Sequence, residues 1–235
     1  MTMGRLGRVD TVLTGRAVPY TRQGTTSAIA KQAVQGPASV GFLGLEGDEQ
    51  ADRRFHGGPD KALHHYAFDH YEAWRGELGR QHPMLARPGA FGENLSSHGI
   101  TESTLCMGDR LRIGSVLVEV SQARQPCWKL NDRFGWNGMA RRVQDSMRTG
   151  WYYRVLEPGV LQVGDAIELV NRPHPAWSLA RLLELLYVRT LDLDQLALAL
   201  ALPLTPSWRA LVERRLARGE VEAWAPRFDG PQTTA

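Results

Sequence analysis

The chain has 235 residues, 43% of them hydrophobic and 23% charged, enough for one sizeable core or a core with a small appendage and too apolar for a disordered segment. Its 24 glycines and 13 prolines follow no short period, no stretch approaches the roughly 20 uncharged apolar residues of a membrane span, and two cysteines can build neither a disulfide framework nor a typical iron–sulfur cluster. The net charge of +3 is a weak tilt that by itself fits an anionic ligand, RNA or nothing in particular.

Met1 to Asp10 carries Arg5 and Arg8 with no apolar stretch behind them, so a cytoplasmic location is expected. From Gly4 to Val170 the chain reads as short strands broken by turns, with two helical insertions. The first is predicted from Pro59 to about Leu78, because Leu63, Tyr66, Ala67, His70, Tyr71, Trp74 and Leu78 recur at three- and four-residue spacing. Leu111, Ile113, Val116, Val118 and Val120 then mark two short strands around Gly114-Ser115. The second helix is predicted over Gly138 to Arg148, with Gly150 as its stop. The stretch 154–170 repeats the two-strand design around Glu157-Pro158-Gly159.

After Asn171 the pattern changes. Arg172-Pro-His-Pro-Ala176 reads as a linker, followed by helices over Ser178–Tyr187, Asp192–Ala201 and Thr205–Arg218, the last with Thr at the N-cap, Pro at the first position and Gly219 beyond its end. The expected division is a mainly β domain with α insertions over 1–170 and a small three-helix domain over 171–235. Its last residues, Pro226 to Ala235, are expected to fray, with Arg227 exposed. Leu179, Leu182, Leu183 and Leu186 form one apolar stripe, and Leu211, Val212, Arg215 and Leu216 another. Three short helices cannot hide both, so they must pack on the first domain, a second copy or a redox partner.

Cys127 stands in Gln122-Ala-Arg-Gln-Pro-Cys-Trp-Lys-Leu130, just after a strand and flanked by Arg124 and Lys129. Positive neighbours favour a thiolate and Pro126 stiffens the approach; the bland alternative is a half-buried core cysteine, which is the reading for Cys106. Gly47 to Lys61 is the densest polar stretch. Its Gly57-Gly58 pair before a predicted helix, with Arg54, His56 and Lys61, suits an anion such as phosphate, or else is a solvated loop. Only Lys31, Lys61 and Lys129 are lysine among 28 basic residues, through biased usage or because a compact ammonium is needed at those places. His64, His65 and His70 lack zinc-site spacing and suit packing better. Phe91-Gly-Glu-Asn94 reads as a turn entering a strand.

In order, Lys31, Gly44-Leu-Glu-Gly-Asp48, Asp52-Arg-Arg-Phe-His-Gly-Gly58, Phe91-Gly-Glu-Asn94, Gly108-Asp109 and Cys127 after a strand resemble the motifs of the MOSC family, named for the C-terminal domain of molybdenum cofactor sulfurases. Gly47 to Asp52, Gln125-Pro-Cys-Trp-Lys-Leu130, Gly150-Trp-Tyr-Tyr-Arg-Val155 and the three C-terminal helices resemble its YiiM-like branch, linked to hydroxylaminopurine resistance. The resemblance implies a β-barrel-like domain binding molybdenum cofactor, with Cys127 as the catalytic thiolate and metal ligand. It makes Lys31, Arg54, His56 and Lys61 candidates for the phosphate and pterin, and Asn94 and Gln125 candidates for hydrogen bonds near the metal.

The implied activity is reduction of N-hydroxylated compounds such as 6-N-hydroxylaminopurine to amines. With no GxGxxG, no Walker loop and too few cysteines for a cluster, the electrons must come from a separate flavin- or haem-containing reductase. The alternative is a cofactor-binding or sulfur-carrier protein without turnover of its own. A nucleic-acid role for Arg209, Arg214, Arg215 and Arg218 is disfavoured, because eight arginines against seven acidic residues after Asn171 leave only +1. The C-terminal helices are expected to form a homodimer or to close over the cofactor mouth.

Overall fold

In the computed structural model, residues 4–51 and 57–231 are described. Strands run in chain order as β1 (Gly4–Arg8), β2 (Thr11–Thr14), β3 (Val18–Pro19), β4 (Thr26–Ser27), β5 (Gln32–Ala33), β6 (Ala38–Gly41), β7 (Gly44–Leu45), β8 (Leu63–Ala67) and β9 (Leu95–Ser97). They continue as β10 (Arg110–Ile113), β11 (Val116–Ala123), β12 (Trp151–Glu157), β13 (Gly159–Leu161) and β14 (Ala166–Asn171). The helices are α1 (His70–Leu78), α2 (Lys129–Phe134), α3 (Met139–Asp145), α4 (Leu179–Tyr187), α5 (Leu193–Ala199), α6 (Pro206–Arg218) and α7 (Ala225–Asp229).

One sheet takes nine strands in the order β1-β14-β10-β11-β12-β8-β9-β2-β5, with β13-β6-β7 and β3-β4 as smaller sheets. Only β8 and β9 pair in parallel among the described strands. The large sheet is mixed, its two ends are β1 and β5, and no pairing joins them among the described residues, so strand pairing bears out a sheet-rich domain without confirming the barrel-like closure expected for it. The 110–120 hairpin forms as its alternation demands, with Arg110 opposite Glu119 and Ile113 opposite Val116. Its counterpart does not: after Pro158 the chain leaves the large sheet, and β13 pairs with β6.

The predicted 59–78 helix is three pieces. Pro59–Lys61 is a single 3-10 turn, Leu63–Ala67 is strand β8, and the helix starts only at His70. Every residue of β8 is buried, and a strand covered on both faces reads as a continuous apolar run that imitates helical spacing. β12 and β9 supply its partners, His65 lying opposite both Trp151 and Leu95.

The C-terminal helices begin and end close to where their caps predict. Ser178 caps α4 through Arg181 N and Asp192 caps α5 through Gln195 N, whereas the Thr205 hydroxyl donates to Gln122 Oε1 at 2.9 Å instead of capping α6. Leu179, Leu182, Leu183 and Leu186 are buried in the same apolar cluster as Met107, Ile113 and Val120 of the first domain, so the α4 stripe is covered by its own chain. The 172–176 segment is pinned rather than loose. Arg172 forms a bidentate ion pair with the fully buried Asp109 and donates to Thr104 O. Arg215 is equally deep, paired with Glu222 at 2.8 Å and bonded to Leu186 O at 2.9 Å. The expected fraying is absent through Pro231: Phe228 of α7 is buried in a second cluster with Leu130, Phe134 and Val143, and Asn131 Nδ2 donates to Phe228 O.

Candidate functional site

The end of β11 and the start of α2 bracket a five-residue crossing that carries Arg124, Gln125 and Cys127. Cys127 is 7% exposed, and its carbonyl accepts from Leu130 N as α2 begins. One cavity beside it is lined by Lys31, Asp48, Lys61, His64, Gly92, Asn94, Arg124, Lys129 and Tyr152. All three lysines of the chain thus line one cavity with the cysteine. Because 25 other cations are arginine, general lysine usage does not account for that convergence.

Each lysine is held differently. Lys31 is buried and ion-paired with Asp48, and burial pushes its pKa down against the pull of that carboxylate. Lys129 donates to Thr26 O at 2.8 Å. Lys61 lies 6.0 Å from the Tyr152 ring centre, and burial lowers its pKa as well. Desolvated ammonium groups attract an anion far more strongly than solvated ones. Arg124 is 5% exposed, and its Nη1 has no hydrogen-bond partner among the described residues, a costly state for a buried donor that a ligand oxygen would relieve.

Asp48 organises the cavity wall, accepting from Gly15 N at 2.7 Å, from Lys31 Nζ and from Asn94 Nδ2 at 2.8 Å. Asn94 also donates to Leu13 O and accepts from His64 N, so its amide ties β2 to β8 and is already used within the protein. Glu93 likewise accepts from Gly89 N, Phe91 N and the Tyr71 hydroxyl. Just before them Gly92 has φ +76, and an added Cβ would meet Ile29 Cγ1 at 2.7 Å, which fixes glycine there sterically. Phe91-Gly-Glu-Asn94 is therefore a clamp on the cavity wall.

A wider cleft of about 1150 Å³ meets the first cavity at Lys61, Cys127, Lys129 and Tyr152. Gln122, Gln125, Trp128, Ser207, Arg227 and Pro231 line its far side. Gln125 thus faces the cleft and not the lysine cavity. Arg227, expected on the surface, is largely buried.

Arg54 and His56 lie outside the described residues. The helix-terminus argument for that loop fails, because Pro59–Lys61 is one 3-10 turn without a helix dipole behind it; the anion argument rests instead on the converging lysines. His65 packs between the Tyr153 hydroxyl and Ser97 Oγ, and burial pulls its pKa down to about 3. His70 bonds Glu102 at 2.6 Å. No group of three or more His, Cys, Asp or Glu side chains is poised to hold a metal among the described residues. Sequence reasoning saw Arg124 and Lys129 only as charged neighbours of Cys127 and missed Asp48 and Arg227 as site residues; Asp48 was visible in the GLEGD string, whereas Arg227 needed the tertiary contacts.

A sheet-rich domain with a cysteine set among lysines, followed by a small helical unit, defines the class. The family profile described as MOSC domain matches residues 52–168, and one described as YiiM-like, 3-alpha helix domain matches 177–219. Protein YiiM of Escherichia coli is 40% identical over 220 residues, covering 93% of this chain and 97% of that one. The crystal structure of YiiM from Escherichia coli superposes with a TM-score of 0.79 at 33% identity, over 96% of this chain and 98% of the other. A protein of Gibberella moniliformis named "Reductase" is 40% identical over 192 residues, which are 81% of this chain but only 34% of that protein. The chain belongs to the MOSC-domain family, in its YiiM-like branch.

Proposed function

We propose that this protein binds molybdenum cofactor and reduces N-hydroxylated compounds to the corresponding amines. The observation carrying the reading is the meeting of one buried thiol with three lysines and a buried arginine donor, unpartnered among the described residues, on a single cavity. That set suits a phosphorylated group whose metal accepts a soft sulfur ligand: Cys127 would ligate, and Lys61, Lys129 and Arg124 would hold the phosphate and pterin oxygens. Lys31 acts through its ion pair with Asp48, keeping the wall charged and rigid.

When bound, the cofactor supplies the two-electron chemistry of the overall change R–NHOH + 2e⁻ + 2H⁺ → R–NH₂ + H₂O. Cys127 and the cavity wall fix its position, and burial of the site limits access of water. The two electrons come from a separate reductase; the relative of that name, only a third of which this chain spans, supports a redox setting. A carrier would need the same thiol but would show no turnover. Arg209 and Arg215 are bonded to carbonyls of the preceding helices, which leaves little basic surface on α6 for nucleic acid.

The test is molybdenum and pterin content of protein made in a cofactor-competent host, with hydroxylaminopurine reduction by a chemical electron donor. Wild-type and Cys106→Ser proteins are expected to carry molybdenum and turn over; Cys127→Ser, nearly isosteric but a poor soft ligand, is expected to lose both. Wild-type molybdenum content and rate in Cys127→Ser would overturn the assignment.

A further inference from the structure

The residues on either side of Cys127 are both held by one residue from the far end of the chain. Arg227 O accepts from Trp128 N at 2.9 Å, and Arg227 Nη1 donates to Pro126 O. Its terminal nitrogen Nη2 bonds Oε1 of the buried Gln144 in α3, so the side chain spans from the cysteine crossing to that helix. Around it the last residues are fastened to the same region: Asn131 Nδ2 donates to Phe228 O, Arg22 donates to the carbonyls of Asp229 and Pro231, and the backbone of Gly230 lies against the Trp128 ring. Arg227 itself lines the cleft into which Cys127 opens. This segment lies beyond both family-profile matches, which end at residues 168 and 219.

We infer that Arg227 is a positioning residue for Cys127, holding the 126–128 backbone so that the thiol stays at the junction of the lysine cavity and the cleft. The inference rests on the reading of Cys127 as the cofactor ligand. The physical case is local. Arg124 N still bonds Gly150 O at the end of the β11–β12 ladder, but Pro126 has no N–H and the Trp128 N–H bonds into α7, so beyond Arg124 the crossing is tied down by Arg227. A backbone amide and a guanidinium acting on adjacent residues set both the position and the direction of the Cys127 Cα–Cβ bond, and a misplacement of about 1 Å is enough to impair a reacting group. Arginine suits the task because its planar fork can bond two oxygens in fixed directions, whereas lysine offers one point charge.

The experiment compares full-length wild type with Arg227→Ala, Arg227→Lys and, as a control on an exposed face of α6, Arg214→Ala. Amide hydrogen exchange over 126–131 is measured on cofactor-free protein, and molybdenum retention during dialysis on protein from a cofactor-competent host. Arg227→Ala keeps the main-chain carbonyl that accepts from Trp128 N but frees Pro126 O and Gln144, so the crossing should open more often, speeding exchange at Trp128 about tenfold and molybdenum loss by a similar factor. The melting temperature should stay close to wild type, because the α7 backbone contacts and buried Phe228 remain. Arg227→Lys should recover part of the protection through its bond to Pro126 O, and Arg214→Ala should match wild type.

Unchanged exchange at Trp128, or faster exchange with unchanged molybdenum retention, overturns the inference. Equal losses in Arg227→Ala and Arg227→Lys with a collapsed melting temperature also overturn it, by making Arg227 a general stabiliser of the fold. A wild-type protein that never acquires molybdenum defeats the cofactor reading instead, and the exchange measurement still decides whether Arg227 holds the crossing.

Discussion

Asp48 shows how much one side chain can organise. Its carboxylate accepts from a backbone N–H, an ammonium and an amide in a wall where Lys31 is almost wholly buried. Removing one member of such a buried pair strands the other, at a cost of about 3 kcal/mol. Asp48→Ala should therefore lower unfolding free energy by roughly that amount, measured in urea, while Glu46→Ala on the neighbouring exposed surface should leave it within about 0.5 kcal/mol. His65 gives a pH dependence with a definite sign. Folded, it stays neutral down to about pH 3, because burial disfavours the cation; unfolded, it takes up its proton near 6.5. Between those values the unfolded chain binds more protons, so stability falls as pH drops, by about 2 kcal/mol from this residue at pH 5. Urea unfolding at pH 7.5 and 5.0 checks this: His65→Gln should lose less on acidification than wild type, and identical losses would sink the claim.

At the scale of elements, β8 and α7 were misread for opposite reasons. β8 is buried on both faces, and its leucine, tyrosine and alanine happen to continue the spacing of α1. The chain's end looks polar and proline-rich, yet Phe228 enters a core and Arg227 is spent on backbone contacts. The α4–α6 caps and stripes were legible because helix ends and amphipathic faces are local properties. Their partner was not, since an apolar stripe specifies burial without saying against what. The partner is the sheet domain of the same chain, so Leu183→Ala should destabilise the whole protein in one transition, by about 2–5 kcal/mol. Deleting everything after Asn171 should expose that face and strand the buried Asp109 carboxylate, giving a product that elutes as aggregate in size-exclusion chromatography. A monodisperse truncated protein with its native melting temperature would contradict this.

Across the whole molecule, elements distant in sequence converge on one anion-suited cavity, Lys31 following β4, Lys61 ending the 3-10 turn and Lys129 opening α2. Inorganic phosphate should bind the cofactor-free protein there and stabilise it. At ten times its dissociation constant the gain is about 1.4 kcal/mol, or roughly 3 °C in melting temperature for a chain of this size. Scanning calorimetry with phosphate against chloride at equal ionic strength reads the effect. Lys129→Glu and Lys61→Glu should each abolish it, whereas Arg214→Glu should retain it; equal shifts in all four proteins would make the effect nonspecific.

The sequence by itself determined the strand-rich first part, the 110–120 hairpin, the three C-terminal helices, the family, and Cys127 with Lys31 and Lys61 as residues of interest. All of these are carried by spacing, turn chemistry or motif strings that neighbouring residues specify. The tertiary structure alone decided the order of strands in the sheet, that Asn94 is a clamp between β2 and β8, that Arg124 has a buried donor with no hydrogen-bond partner among the described residues, and that Arg227 reaches back across the chain to the two neighbours of Cys127. Those properties depend on which strand edges meet and which polar groups lose water on burial. Both are set by contacts between residues far apart in sequence, where local periodicity carries no information.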